Sequence, residues 1–206
     1  LLYLQKGNMQ NAEKELNVAI ELEPNNYNAL KLLGDLAQSG PNLDLEKAKK
    51  YYNKALENTD DKTEILQGLV FIHAELGEYE NAINLSNKIL ENNPDDADIY
   101  FNVGVIYQRL GNTLYEQMID KYKNLTAQTD DISGEGLRQV YQSCKQTLEM
   151  VNLAKTYFTE SSVYEEDVNY ETDRAIDEMK RVRKNIKNVY MVSIEKIAID
   201  SNINLD

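Results

Sequence analysis

Apolar residues recur at steps of three and four along most of the chain, which is the period of an amphipathic helix. Three segments share one spacing: "YNALKLLGDLAQSG" (27–40), "TEILQGLVFIHAELG" (63–77) and "ADIYFNVGVIYQRLG" (97–111). They align Leu30 with Leu66 and Tyr100, Leu33 with Leu69 and Val103, and Gly34 with Val70 and Gly104. A second set alternates with them: "NAEKELNVAIELEPNN" (11–26), "KAKKYYNKALENTDD" (47–61) and "NAINLSNKILENNPDD" (81–96). Here Ala12, Ala48 and Ala82 correspond, as do Leu16, Tyr52 and Ser86, then Ala19, Ala55 and Ile89. Pro24 and Pro94 close two of these segments, because proline cannot continue a helix. The pattern predicts helix pairs repeating at a period of about 34 residues. The 27–62 unit has a slightly longer turn, "SGPNLDL" (39–45).

Small residues at Gly34, Gly104 and the three alanines predict close helix approach, with large residues filling the spaces between. This pattern over residues 1–111 resembles the tetratricopeptide repeat (TPR) family. The resemblance implies an all-α fold: a right-handed superhelical TPR solenoid of antiparallel helix pairs.

After Gly111 the pattern breaks. The Ala, aromatic and Ala positions of a next helix fall on Glu116, Asp120 and Lys123. The expected residues arrive later, as Ala154, Phe158 and Ser161 in "NLAKTYFTESS" (152–162). A symmetrical insertion accounts for the delay. The first helix continues through 112–125, a polar loop covers 126–136, and the second helix starts early at 137. Leu114, Met118, Tyr122 and Leu125 would then face Leu137, Val140, Tyr141, Cys144 and Leu148. Gly111 offers the alternative, a break in the first helix. Residues 170–200 read as one long helix with a stripe of Ile176, Met179, Val182, Ile186, Val189, Tyr190, Ile194 and Ile197, capped by Thr172 or Asp173. Extended helices therefore form a C-terminal three-helix bundle. The domain reading is a solenoid at 1–111, its first unit incomplete, and an extended hairpin plus long helix at 112–206.

Composition narrows the function. With 35 acidic against 22 basic side chains and a net charge of −13, duplex nucleic acid is not an expected partner. No run of about 18 apolar residues suggests a membrane span. The 14 tyrosines and the abundant asparagine lean towards a bacterial envelope or secreted protein. His73, the one histidine, stands on an aromatic position of the repeat, and Cys144 on an apolar stripe. Both read as core. No nucleophile–base pair or phosphate loop is visible, so the expectation is a non-enzyme without cofactor or metal. Asp130, Asp131, Ser133 and Glu135 in "TDDISGEG" (129–136) depart from calcium-loop spacing and read as a solvated loop.

The resemblance also implies a partner-binding groove lined by the first helix of each pair. Its residues here are Asn28, Lys31 and Asp35, then Glu64, Gln67 and Phe71, then Asp98, Phe101, Asn102, Val105 and Gln108. Family members that bind chaperones grip a C-terminal carboxylate with Lys and Asn, then Asn, then Lys and Arg. Lys31 matches that set. Asp35, Gly68, Asp98 and Asn102 do not, and the two acids would repel a carboxylate. Phe71, Phe101 and Val105 suit an apolar peptide or helix instead, or pack among themselves.

Leu2, Tyr3 and Leu4 read as the last turn of an incomplete first helix, and residues 1–26 show no polar cap. Upstream repeats or another molecule would cover this end. Lys180, Arg181, Arg183, Lys184 and Lys187 form the one dense basic cluster. Two functions follow: a scaffold binding a partner protein's segment, and a self-assembling subunit joining copies of itself through its two ends.

Overall fold

A computed structural model describes residues 9–39, 43–59, 62–127, 133–164 and 170–205. Leu2, Tyr3 and Leu4 lie outside these residues. The helices are α1 Met9–Leu22, α2 Tyr27–Ser39, α3 Leu45–Leu56, α4 Thr63–Glu75, α5 Tyr79–Asn92, α6 Ala97–Thr126, α7 Gly134–Tyr164, α8 Tyr170–Asn185 and α9 Val192–Asp200. A π-helical segment, Ile186–Met191, joins α8 to α9 without a break. The chain divides into two compact units, Leu1–Pro94 and Asp95–Asp206. The sequence-based division at 111/112 falls inside α6.

In the first unit the helices are 12 to 14 residues long. Their ends follow from local chemistry. Pro24 stands just past α1, and the Asn26 side chain then accepts from the Ala29 amide at 3.0 Å to start α2. Asp44 accepts from the Lys47 amide at 2.9 Å to start α3. Gly77, at φ 74°, takes the left-handed conformation that lets the chain turn from α4 into α5.

Tyr52 of α3 is the pin of this unit. It is buried, with Gly34 of α2 on one side of its ring and Gly68 of α4 on the other. A Cβ at Gly34 would stand 2.6 Å from Tyr52 Cε1, and one at Gly68 2.8 Å from Cε2. Glycine costs a helix interior about 1 kcal/mol; both positions carry it because the ring occupies the space of a Cβ.

The second unit repeats the device over longer helices. α6 spans 30 residues and α7 31, so Gly111 does not break α6. Gly104 of α6 lies against Phe158 of α7, where a Cβ would stand 2.7 Å from the ring. Farther along the pair, Gly111 meets Val151 and Met150, and Cys144 Sγ lies 3.2 Å from Met118 Sδ. α7 starts at Gly134, earlier than the expected 137. Asp96 caps α6 by accepting from the Ile99 amide at 3.0 Å.

α8, the π segment and α9 pack on this pair, burying Thr172, Ala175, Met179, Val182, Ile186, Ile194 and Ala198. Two expectations are corrected. The helix begins at Tyr170, so Thr172 and Asp173 lie in its first turn instead of capping it. Val189 is 52% exposed and Ala198 completes the stripe. The π segment supplies the reason. From Val182 the inward positions run in steps of four through Ile186, Tyr190, Ile194 and Ala198. In an α-helix each such step drifts about 40° around the axis. The wider π turn takes in the extra residue and keeps the stripe on one face. Beyond α9, Asn202 at φ 54° lets the Ile203 amide bond Ala198 O at 2.8 Å and the Asn202 amide bond Ile199 O at 3.1 Å. This turns Ile203 back towards Gly134, and Arg138 Nη1 donates to Asn204 O at 3.2 Å.

Candidate protein-binding groove

The candidate groove residues fall in both units, and each set has its own chemistry. In the first unit, Lys31 of α2 is enclosed by acid. Its Nζ lies 3.0 Å from Glu64 Oε2 and 3.3 Å from Asp35 Oδ2. Partial burial opposes its charge, but the hydrogen bonds and fields of Glu64 and Asp35 prevail and hold its pKa above the ordinary lysine value. Asp35 is doubly used: Tyr52 donates its hydroxyl proton to Asp35 Oδ1 at 2.6 Å, with Gln38 Oε1 3.2 Å away. Burial first, and then this bond to a carboxylate, push the Tyr52 hydroxyl pKa far up. One polar chain thus runs from the buried pin to the candidate groove. Lys31, the one match to a carboxylate clamp, already has its counter-charges. Asn28 is exposed, Gln67 half-buried, and Phe71 of α4 is 43% exposed. Phe71 is the large apolar side chain among the first unit's candidate residues.

In the second unit, position by position along α6, Phe101 stands where α2 has Lys31, and Val105 where it has Asp35. Phe101 packs on Phe158 at 5.4 Å between ring centres. Both Phe101 and Val105 are partly buried against the core of this unit. Gln108 Nε2 donates to Glu178 Oε2 of α8 at 3.1 Å. Asp98 and Asn102 stay exposed. The structure therefore brings Lys31, Asp35 and Glu64 into one network with Tyr52, and draws Phe101, Val105 and Gln108 towards their own unit's interior.

Sequence reasoning missed Gly68 as half of the pin and the Tyr52–Asp35 bond. A glycine inside a helical pattern was the available signal. The hydroxyl at position 52, facing an acid one residue past Gly34, was the other.

The remaining candidates are structural. The His73 ring meets Glu78 through Nδ1, and Glu78 also accepts from Lys49 Nζ at 2.9 Å. Lys49 first, then His73, hold the Glu78 carboxyl down at about 2. Cys144 is buried, and desolvation pushes its thiol up to about 12, which keeps it neutral. In the acidic loop Ser133 Oγ accepts from the Gly136 amide at 3.1 Å, and Glu135, inside α7, accepts from Gln139 at 3.0 Å. Asp130 and Asp131 lie outside the described residues. Among the described residues no group of three or more His, Cys, Asp or Glu is placed to hold a metal, and no helix is long and apolar enough to cross a membrane.

Comparison with known proteins bears on the helical-repeat fold. Residues 1–26 match a tetratricopeptide repeat model and residues 72–111 a TPR repeat model. A tetratricopeptide repeat protein from Parabacteroides merdae superposes with a TM-score of 0.51 at 22% identity, over 96% of this chain and 75% of that one. PilW, a type IV pilus biogenesis factor, aligns over 95% of this chain and 93% of its own at 16% identity and a TM-score of 0.46. MamA of AMB-1 aligns over 84% and 91% at 18% identity and a TM-score of 0.45. No curated protein matches the sequence.

Proposed function

We propose that this chain is a scaffold for protein–protein interaction of the tetratricopeptide-repeat kind, and that the α2–α4 face of its first unit binds a partner segment with an apolar anchor flanked by Lys or Arg. The half-exposed ring of Phe71 carries this reading. It is a large apolar side chain on a face whose other members are Asn28, Lys31, Asp35, Glu64 and Gln67. The charge balance supports a basic partner. Lys31 is balanced by Asp35 and Glu64 together, which leaves this face acidic within a chain of net charge −13. An acidic C-terminus would be repelled, and a basic flank attracted. An apolar anchor set over Phe71 would supply the buried contact.

Panning a random peptide display library on the immobilised chain tests the proposal. Enriched sequences should pair an apolar residue with Lys or Arg, and Phe71→Asp should weaken them at least about tenfold, the loss of one central anchor. Phe71 suits the test because an exposed site tolerates a charge, whereas Phe101→Asp would put one against the core of the second unit. Enrichment of acidic C-termini, or binding indifferent to Phe71→Asp, contradicts the reading.

A further inference from the structure

The face of α8 and α9 turned away from the bundle is basic at one end and apolar at the other. No acid stands between Glu178 and Glu195. Lys180 pairs with Asp177 at 2.8 Å, while Arg181, Arg183, Lys184 and Lys187 are exposed and make no ion pair among the described residues. Past Lys187 the outward side shows Val189, Val192 and Ile199, the last 78% exposed, beside Lys196. β-branched residues are poor helix formers, and nothing in the bundle requires them at outward positions.

α1 carries the complement. Its outer side shows Val18 and Leu22, the latter 78% exposed, amid Glu15 and Glu21, with Glu23 just past its end and Lys14 the basic exception. Both helices thus expose aliphatic side chains next to charge, and the charges are of opposite sign.

We propose that the α8–α9 face of one molecule binds the outer face of α1 in a second copy. Laid antiparallel, the helices set Val18 and Leu22 against Val192 and Val189. Glu21 and Glu23 then lie towards Lys187 and Lys184, and Glu15 towards Lys196. The contact uses two different surfaces, so each copy keeps one of each free. It grows into an open chain of molecules unless the geometry closes a ring. Its attraction is partly ionic between exposed groups, so salt weakens it.

Sedimentation velocity over a concentration series tests this with charge-reversed variants of exposed residues. The wild-type chain should associate at low salt and dissociate as salt rises. Lys184→Glu with Lys187→Glu should lower the association constant at least about tenfold, and so should Glu21→Lys with Glu23→Lys. Mixing these two variants should restore pairing between them, because each then presents the face the other lacks. A wild-type chain that stays monomeric at every concentration overturns the proposal. So does a mixture that fails to pair while both variants keep wild-type circular dichroism and melting. Neither variant touches Phe71, so failure here leaves the peptide-binding proposal standing, and the reverse also holds.

Discussion

The two units build the same joint and finish it differently. In the first, Gly34 admits Tyr52, whose hydroxyl reaches Asp35, which in turn holds Lys31. In the second, Gly104 admits Phe158, and the positions of Asp35 and Lys31 are taken by Val105 and Phe101. The polar ring goes with a polar groove wall and the apolar ring with an apolar one. A buried hydroxyl needs a partner, so changing the wall changes which aromatic the pin can be. The sequence distance between glycine and ring matters little, provided both helices lengthen together.

The largest effect expected is loss of a pin. Phe158→Ala should lower the stability of the second unit by about 3–5 kcal/mol, read by denaturant unfolding. If it costs less than about 1 kcal/mol, the Gly104–Phe158 joint is not what holds α6 to α7.

Closing the space against the ring comes next. Gly34→Ala and Gly104→Ala each overpack a rigid aromatic face and should cost about 1–3 kcal/mol, despite alanine's better helix propensity. A stabilising alanine at either site would break the parallel between the units.

Exchanging the rings sharpens it. By the alignment of Val105 with Asp35, Phe158→Tyr puts a hydroxyl where the wall offers no carboxylate and should cost about 1–3 kcal/mol, whereas Tyr52→Phe, which deletes one hydrogen bond, should cost about 1 kcal/mol. Adding Val105→Asp to Phe158→Tyr should recover part of the loss in a double-mutant cycle. No recovery would mean the wall and the ring are independent.

How much of this could be read beforehand follows from what periodicity measures. It reports which face of a helix is apolar, so the late arrival of Ala154 and Phe158 was enough to infer two lengthened helices and their pairing. It does not report which third helix closes a site, so Gly68, on the far side of Tyr52, went unread. Nor does a wheel of uniform pitch show a change of helix type. The π segment hid in the unbroken four-residue steps from Val182 to Ala198, and Val189 was placed inward for that reason. The candidate groove residues could be picked from the repeat alignment, but their surroundings could not. That Lys31 is already neutralised depends on Glu64 from another helix, and that Phe101 and Val105 turn into a core depends on the elements around them.

The smallest expected effect is on pH. Glu78 is held below its ordinary value by Lys49 and His73. Its carboxylate therefore contributes stability above the unfolded pKa of 4.5, and that contribution fades as pH falls towards about 2. Glu78→Gln should flatten the acid limb of the stability curve slightly, seen in melting temperature against pH. An unchanged curve would remove Glu78 from the account, and the second unit offers a control because it lacks this cluster.

The claim that the first unit carries the binding face is tested most directly by amide chemical-shift mapping of the whole chain against a peptide selected by panning. The account predicts shifts that move with peptide concentration at Lys31, Asp35, Gln67 and Phe71, and steady amides over 170–200. Shifts concentrated on α8 and α9, or on Phe101 and Val105 with the first unit silent, would contradict it.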